Sequence, residues 1–375
     1  MVTKQVLIID KRVSSTSPVA VSVEHLLRYN VFLQHVLTRY KNKITEHYKN
    51  KLWDRYKKLA NEYELIFTTP NTGSNISLYC PVSRSFFKMW EILHDFKSEI
   101  GLSNTPINAM FLAEGPGGFA EAFVKLRNGL GDSCYGISLK SANKNVPEWR
   151  YQQGVTVCYG ADGTGDLYNK ANLDYMSDNL PKMHLITADG GFDFSNDFNG
   201  QEESSIKLIL CEIYSAFVLQ EEGGSLVLKI YDMFHEHTLK IVSLLKIYYE
   251  NIYIVKPLSS RPANSEKYLV CTGFSMSDAS TLFALGNLVG QYGDVALNEF
   301  FNSIQHNAGV LHGLVSYNVY YTLRQAYYIE QTICYINDFG KNYHDERVRS
   351  QIKSISDKNK QKSSRWCEKY GLEHS

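Results

Sequence analysis

The sequence predicts an α/β fold built on a doubly wound, mostly parallel sheet, with helical extensions on either side. Three observations predict it. Short, near-continuous apolar runs alternate with amphipathic stretches from about residue 76 to 275. A glycine-rich turn closes one of those runs. The zones before and after read mainly as helix.

Residues 1–75 open with a short strand-like run in "MVTKQVLIIDKRVSS" and continue as helix, with Leu26, Leu27, Val31, Leu33, Val36 and Leu37 near helical spacing. The later half of this zone sets Arg39, Lys41, Lys43, Lys49, Lys51, Arg55, Lys57 and Lys58 against Glu46 and Asp54. That basic stretch suits either a solvated helix face or a surface that tracks phosphates.

The middle zone, 76–275, offers seven strands in order: "NAMFLAEG", "SCYGISL", "GVTVCYG", "MHLITADGG", "SLVLKIY", "NIYIVKP" and "KYLVCTGF". Helices are expected at "SRSFFKMWEILHDFK", "GFAEAFVKLRN", "QEESSIKLILCEIYSAFVLQ" and "HEHTLKIVSLLKIYYE". The last two strands have only "LSSRPANSE" between them, which predicts an antiparallel hairpin at the sheet edge. The final zone, 276–375, is helical with a polar, lysine- and serine-rich tail.

The bulk numbers exclude several classes. The 375 residues are 44% hydrophobic and 21% charged, as a globular chain requires. With 39 basic and 39 acidic residues the formal net charge is zero, so any basic patch is local. Seven cysteines without a C-x-x-C pair argue against a disulfide framework or zinc module and for a reducing compartment. His235 and His237 in "FHEHTLK" lack further ligands, so no metal is expected. The first apolar run is too short for a signal-peptide core, and no run reaches membrane-spanning length. The expectation is a soluble cytoplasmic protein, in host cytoplasm or virion if viral. The 26 tyrosines fit either an AT-rich coding bias or aromatic platforms for bases.

The glycine turn carries the first chemical signal. In "FLAEGPGGFAEAF", Glu114 precedes Gly115, Pro116, Gly117 and Gly118, then Phe119 opens a helix. Glycines permit positive φ and remove Cβ atoms that would block a ligand, and ligands of open α/β sheets bind outside the carboxyl ends of strands. The pattern is not G-x-G-x-x-G, which argues against a nicotinamide oxidoreductase. Asp162 and Asp166 in "CYGADGTGDLYN" and Asp189 in "LITADGGFDF" follow neighbouring strands. Such acids repel phosphate and suit a ligand with amines and hydroxyls. S-adenosylmethionine has both, with a cationic sulfonium and no phosphate.

Five motifs, "SRSFFKMWEIL", "EGPGGF", "TADGG", "EEGGSLVLKIY" and "KPLSSRPANSEKYLV", occur in that order. Together they resemble the FtsJ-like ribose 2'-O-methyltransferases over about residues 80–275, most strongly the branch acting on capped mRNA, including enzymes of large cytoplasmic DNA viruses. The resemblance implies a Rossmann-like methyltransferase sheet and a Lys-Asp-Lys-Glu tetrad at Lys88, Asp189, Lys229 and Glu266. It implies a cofactor turn at Gly115–Phe119 and an adenine-side carboxylate at Asp162 or Asp166. One departure is "YGISLK", where Ser138, Leu139 and Lys140 replace the acid many methyltransferases use for the cofactor ribose.

The chemistry asks for such a set independently. A ribose 2'-hydroxyl is a weak nucleophile that must be aligned with the sulfonium methyl and relieved of its proton. Lys229, on a core strand, is expected to be the base, its pKa lowered by burial and by Lys88. Lys88 would orient the hydroxyl, while Asp189 and Glu266 balance charge. Arg84, one helical turn before Lys88, and Arg261 are expected to meet substrate phosphates. The implied partner is capped mRNA, with other capping or transcription proteins as further candidates and the oligomeric state open. Competing readings are the same chemistry on ribosomal or other structured RNA, and a non-catalytic methyltransferase-fold subunit.

Overall fold

The computed structural model describes residues 7–10, 22–48, 52–68, 74–143, 146–192, 197–340 and 344–375. Lys49 and Lys51 of the basic stretch lie outside them. All seven apolar runs of the middle zone form strands: β2 (Asn108–Leu112), β3 (Ser133–Ile137), β4 (Val155–Cys158), β5 (Met183–Ala188), β6 (Gln220–Ile230), β7 (Tyr249–Val255) and β8 (Lys267–Phe274). The strand-like start forms β1 (Leu7–Asp10).

Among the described residues the sheet has eight strands in the order β1-β7-β8-β6-β5-β2-β3-β4. Strands β2 to β6 pair in parallel, whereas β8 runs antiparallel to both β6 and β7. The hairpin is not quite at the edge. β1 pairs antiparallel outside β7, with Leu7 opposite Ile254, and covers its backbone groups.

Period-two alternation splits the strand side chains between two cores. Phe111 joins Phe86, Phe87, Phe119 and Phe123, from α3 (Ser85–Asp95) and α4 (Gly118–Leu126). Met110 and Leu112 join Leu210, Ile213 and Leu244, from α6 (Gln201–Leu219) and α7 (Glu236–Tyr248). Between β4 and β5 runs α5 (Lys170–Asn179), whose apolar periodicity is weak. Asn169 caps it, accepting from Ala171 N at 3.1 Å.

Outside the sheet, α1 (Val23–Tyr48) lies along α10 (Ala308–Phe339), tied by Asn318 to Asn30 at 2.7 Å and Lys43 to Glu330 at 2.8 Å. The short helix α2 (Leu52–Ala60) packs on the same pair, and α8 (Ala279–Gly290) and α9 (Asp294–Ser303) extend the α6 side. Helix α11 (Glu346–Lys369) returns to α3, where Trp366 Nε1 donates to the buried Glu91 at 3.0 Å. Among the described residues no helix is long and apolar enough to cross a membrane.

Candidate active site

The carboxyl ends of β5 and β6, the start of β8 and helix α3 converge on one cluster. Lys229 is the penultimate residue of β6, and its cross-strand partner is Tyr268. Asp189 follows β5, Glu266 precedes β8, and Lys88 stands one turn into α3. Lys229 Nζ lies 3.1 Å from Asp189 Oδ1 and donates to the Asp189 carbonyl at 2.7 Å. Lys88 Nζ lies 2.7 Å from Glu266 Oε2. The Tyr268 hydroxyl joins the pairs, donating to Asp189 at 3.0 Å and accepting from Lys88 at 3.5 Å. The structure thus brings all four expected residues together and adds Tyr268.

The Lys229 field differs from expectation. Burial draws its ammonium down, but Asp189, Tyr231 and Glu266 raise it further, and the net shift is upward. A lysine beside two acids keeps its proton even when dry. Glu266, although buried, is held low by Lys88, Lys229 and Lys256. Burial pulls Lys256 well down; its Nζ donates to the Glu266 carbonyl at 2.6 Å and the Asn264 carbonyl at 2.7 Å. Two buried acids stand behind Asp189. Glu114, pushed well above the carboxylate range by burial, accepts from Thr187 and Ala120 N. Burial likewise pushes Glu212, which accepts from Gly190 N at 3.2 Å, up to about 8.

The expected cofactor turn follows β2. Gly117, at φ 92°, heads α4, and a Cβ there would stand 2.9 Å from Tyr151 Cβ and 3.2 Å from the Trp149 ring. A Cβ on Gly118 would strike the Ser83 and Ser85 hydroxyls, and Gly115 lies against Pro147. Pro116 accepts from Arg150 N and Tyr151 N, both at 3.1 Å. The turn is therefore walled on one side by the segment carrying Trp149 rather than lying fully open. Phe119 is fully buried against Tyr268 and supports the turn from below. Beyond Trp149 a cavity of about 470 Å³ opens at the ends of β3 and β4, lined by Ser138, Leu139, Lys140, Glu148 and Tyr159. The close glycine cradle and the cavity beside it fit S-adenosylmethionine.

Four other expected residues have internal partners. The Asp162 carboxylate accepts from Thr164 N, Thr164 Oγ1 and Asn169 Nδ2 and holds its own loop; these bonds keep it low. Asp166 accepts from Tyr168 N at 2.8 Å. Arg261 grips Glu64 with Nε at 2.9 Å and Nη2 at 2.7 Å, and Arg84 donates to the Phe67 and Ser259 carbonyls and lies 3.6 Å from Glu64. Both guanidinium groups, expected from sequence to meet substrate phosphates, brace the loop leading to Glu266 within the chain. Among the described residues no cluster of His, Cys, Asp and Glu is arranged to hold a metal ion.

Sequence reasoning missed Tyr268, although strand alternation aims it to the same side as Glu266, two residues before. It also missed Glu91, which takes Leu258 N, Ser259 N and the Trp366 indole and pins the Glu266 loop to α3. No local signal marks that contact.

Fold and site together define an α/β transferase with an open strand-end cluster. The chain belongs to the FtsJ-like methyltransferase family, whose sequence model matches residues 81–274. It is 35% identical over 178 residues to the cap-specific mRNA (nucleoside-2'-O-)-methyltransferase 1 of Drosophila melanogaster, covering 45% of this chain and 22% of that one. The Trypanosoma brucei brucei protein of the same name is 36% identical over 166 residues, covering 43% and 45%. The cap-specific mRNA (nucleoside-2'-O-)-methyltransferase of Autographa californica nuclear polyhedrosis virus is 31% identical over 211 residues, covering 54% and 80%. The chain thus spans about a fifth of the insect relative, under half of the trypanosome one and four-fifths of the viral one.

Proposed function

We propose that the protein transfers a methyl group from S-adenosylmethionine to a ribose 2'-hydroxyl of RNA, at the first transcribed nucleotide of capped mRNA. The observation that carries this reading is the convergence of Lys88, Asp189, Lys229 and Glu266 around the Tyr268 hydroxyl. The relatives' names support the choice of capped mRNA as substrate.

When bound, the cofactor supplies an electrophilic methyl on a positive sulfonium. The chain's residues do the rest. Lys229, kept as an ammonium by Asp189, Tyr231 and Glu266, donates to the 2'-oxygen and stabilises the negative charge that develops there. The base role expected of Lys229 from sequence is here given to Asp189, because the carboxylates around Lys229 favour its ammonium form. Asp189 is the acceptor at hand for the hydroxyl proton. Lys88, fixed by Glu266, holds the other side of the ribose, and Tyr268 spaces the pairs.

The test is transfer of labelled methyl to capped RNA, uncapped RNA, ribosomal RNA and capped RNA with a 2'-deoxy first nucleotide, with the modified position mapped. Methyl on the first nucleotide of capped RNA, none on the deoxy substrate and little on the others is expected. Equal transfer to uncapped or ribosomal RNA would remove the cap assignment, and transfer to the deoxy substrate would remove the ribose.

A further inference from the structure

Glu266 lies just outside the ladder of the sheet. The pairing of β8 with β6 begins at Lys267, opposite Ile230, and its pairing with β7 begins at Tyr268, opposite Val255. The loop 256–266 that delivers Glu266 is held by side chains instead. Its last four carbonyls all accept from them: Ala263 from Gln325 at 3.0 Å, Asn264 from Lys256 at 2.7 Å, Ser265 from Lys267 at 2.9 Å and Glu266 from Lys256 at 2.6 Å. At the other end of the loop Glu91 accepts from Leu258 N and Ser259 N, and Arg84 donates to the Ser259 carbonyl.

Lys256 grips Glu266 itself. It follows the last residue of β7 and is only 6% exposed. Both Glu266 carboxylate oxygens are engaged elsewhere, Oε2 by Lys88 at 2.7 Å and Oε1 by the Ser260 hydroxyl at 2.9 Å. Lys256 therefore works on the main chain of Glu266, while Lys88 and Ser260 work on its side chain. A carbonyl in a partly buried loop, beyond the end of a ladder, needs a donor. One amine reaching across the base of the loop supplies two carbonyls at once. The position disfavours a charge: burial, with Lys267, Lys88 and Arg324 nearby, draws the Lys256 ammonium well down against the pull of Glu266. What the loop uses is the pair of N–H donors.

Building on the RNA-ribose reading above, we infer that Lys256 is a positioning residue for methyl transfer: by fixing the Glu266 main chain it fixes where Glu266 holds Lys88 beside the ribose. Lys256 acts at one remove from the RNA and the cofactor. Without it Glu266 drifts, Lys88 drifts with it, and the reacting oxygen is aligned less often once bound. Such a loss is read in kcat rather than in KM.

The test uses the full chain and steady-state transfer of labelled methyl to capped RNA. Lys256→Met keeps the bulk of the side chain and removes both donors. Its kcat is expected to fall about ten- to a hundred-fold, with KM for RNA and calorimetric affinity for S-adenosylmethionine within about threefold of wild type. Lys256→Gln keeps two N–H donors without the charge, on a chain one bond shorter. It should lose only about two- to fivefold, again in kcat alone. A double-variant cycle with Glu266→Gln, which removes the charge that Lys88 meets, reads whether the effect passes through Glu266. In that background Lys256→Met should cost no more than about threefold further. Thermal melts check folding, and if Lys256→Met does not fold, the kcat-against-KM split of Lys256→Gln decides. The inference is overturned by a wild-type kcat in Lys256→Met, by a loss in Lys256→Gln that falls on KM or equals that of Lys256→Met, or by the full Lys256→Met factor in the Glu266→Gln background. A wild-type protein that methylates no RNA ribose would overturn the earlier reading. An active wild type with any of those three results would overturn only this one.

Discussion

Two lysine–carboxylate clusters stand at the same end of the sheet, on opposite faces. Lys229 and Asp232 are three residues apart, and Glu266 and Lys267 are adjacent. Alternation along the strands sends Lys229 and Tyr268 toward α3, and Lys267 toward α1. The first cluster keeps side-chain exposures of 9–16% and borders a cavity. The second, Lys41–Asp232–Lys267, keeps only 4–6%, although Lys41 lines the same cavity as Glu266. The same residue types make a site where the pairs stay accessible and a rivet where two ammonium groups close on one buried carboxylate. Changes in the first should be read in rate, and changes in the second in stability.

The largest effect is expected from Lys229→Ala. Methyl transfer should fall by about a thousand-fold or more, while S-adenosylmethionine still binds by calorimetry. Residual transfer within tenfold of wild type would erase the distinction between the clusters. Next comes Asp232→Asn, which leaves two enclosed ammonium groups without their counter-ion. Urea unfolding should show a loss of about 3–5 kcal/mol, and a loss below about 1 kcal/mol would mean the rivet holds little.

Glu212 sharpens the comparison by pH. Its pKa is raised in the folded state to about 8, so the folded protein holds the proton longer than the unfolded chain. The stability this contributes is present below the unfolded pKa and is lost as pH rises through about 8. Glu212→Gln should therefore gain on wild type between pH 5 and pH 8, by more than about 1 kcal/mol in urea melts. A constant difference across that range would refute the protonated state. The smallest effect is Tyr268→Phe, which removes the bridge between the catalytic pairs but neither pair. We expect a three- to tenfold fall in kcat, with unfolding changed by about 1 kcal/mol or less.

The contrast also explains what could be read in advance. The seven strands of the middle zone were legible because apolar runs and glycine turns are local patterns, whereas Lys88, Asp189, Lys229 and Glu266 were legible through the five motifs that resemble the FtsJ-like family. Tyr268 was within reach of the same logic, as its offset from Glu266 matches the strand period. The Glu64–Arg261 pair was not, since it joins residues 197 apart. Lys41 looked like one more charge on a basic helix until the fold set Asp232 against it. The protonation of Lys229 was illegible for another reason. Burial and the two carboxylates push it in opposite directions, and only their distances decide between them.

The addition of β1 outside β7 has a consequence for synthesis. Leu7 must wait for Ile254 before its backbone is paired, Lys41 for Asp232 across 191 residues, and Glu91 for Trp366 across 275. A nascent chain emerging from the ribosome can gather β2 to β5 early, but the rivet closes only once Asp232 and Lys267 have emerged, and the clamp on the Glu266 loop is complete only once Trp366 has. Catalytic competence should thus wait for Trp366 rather than grow with chain length.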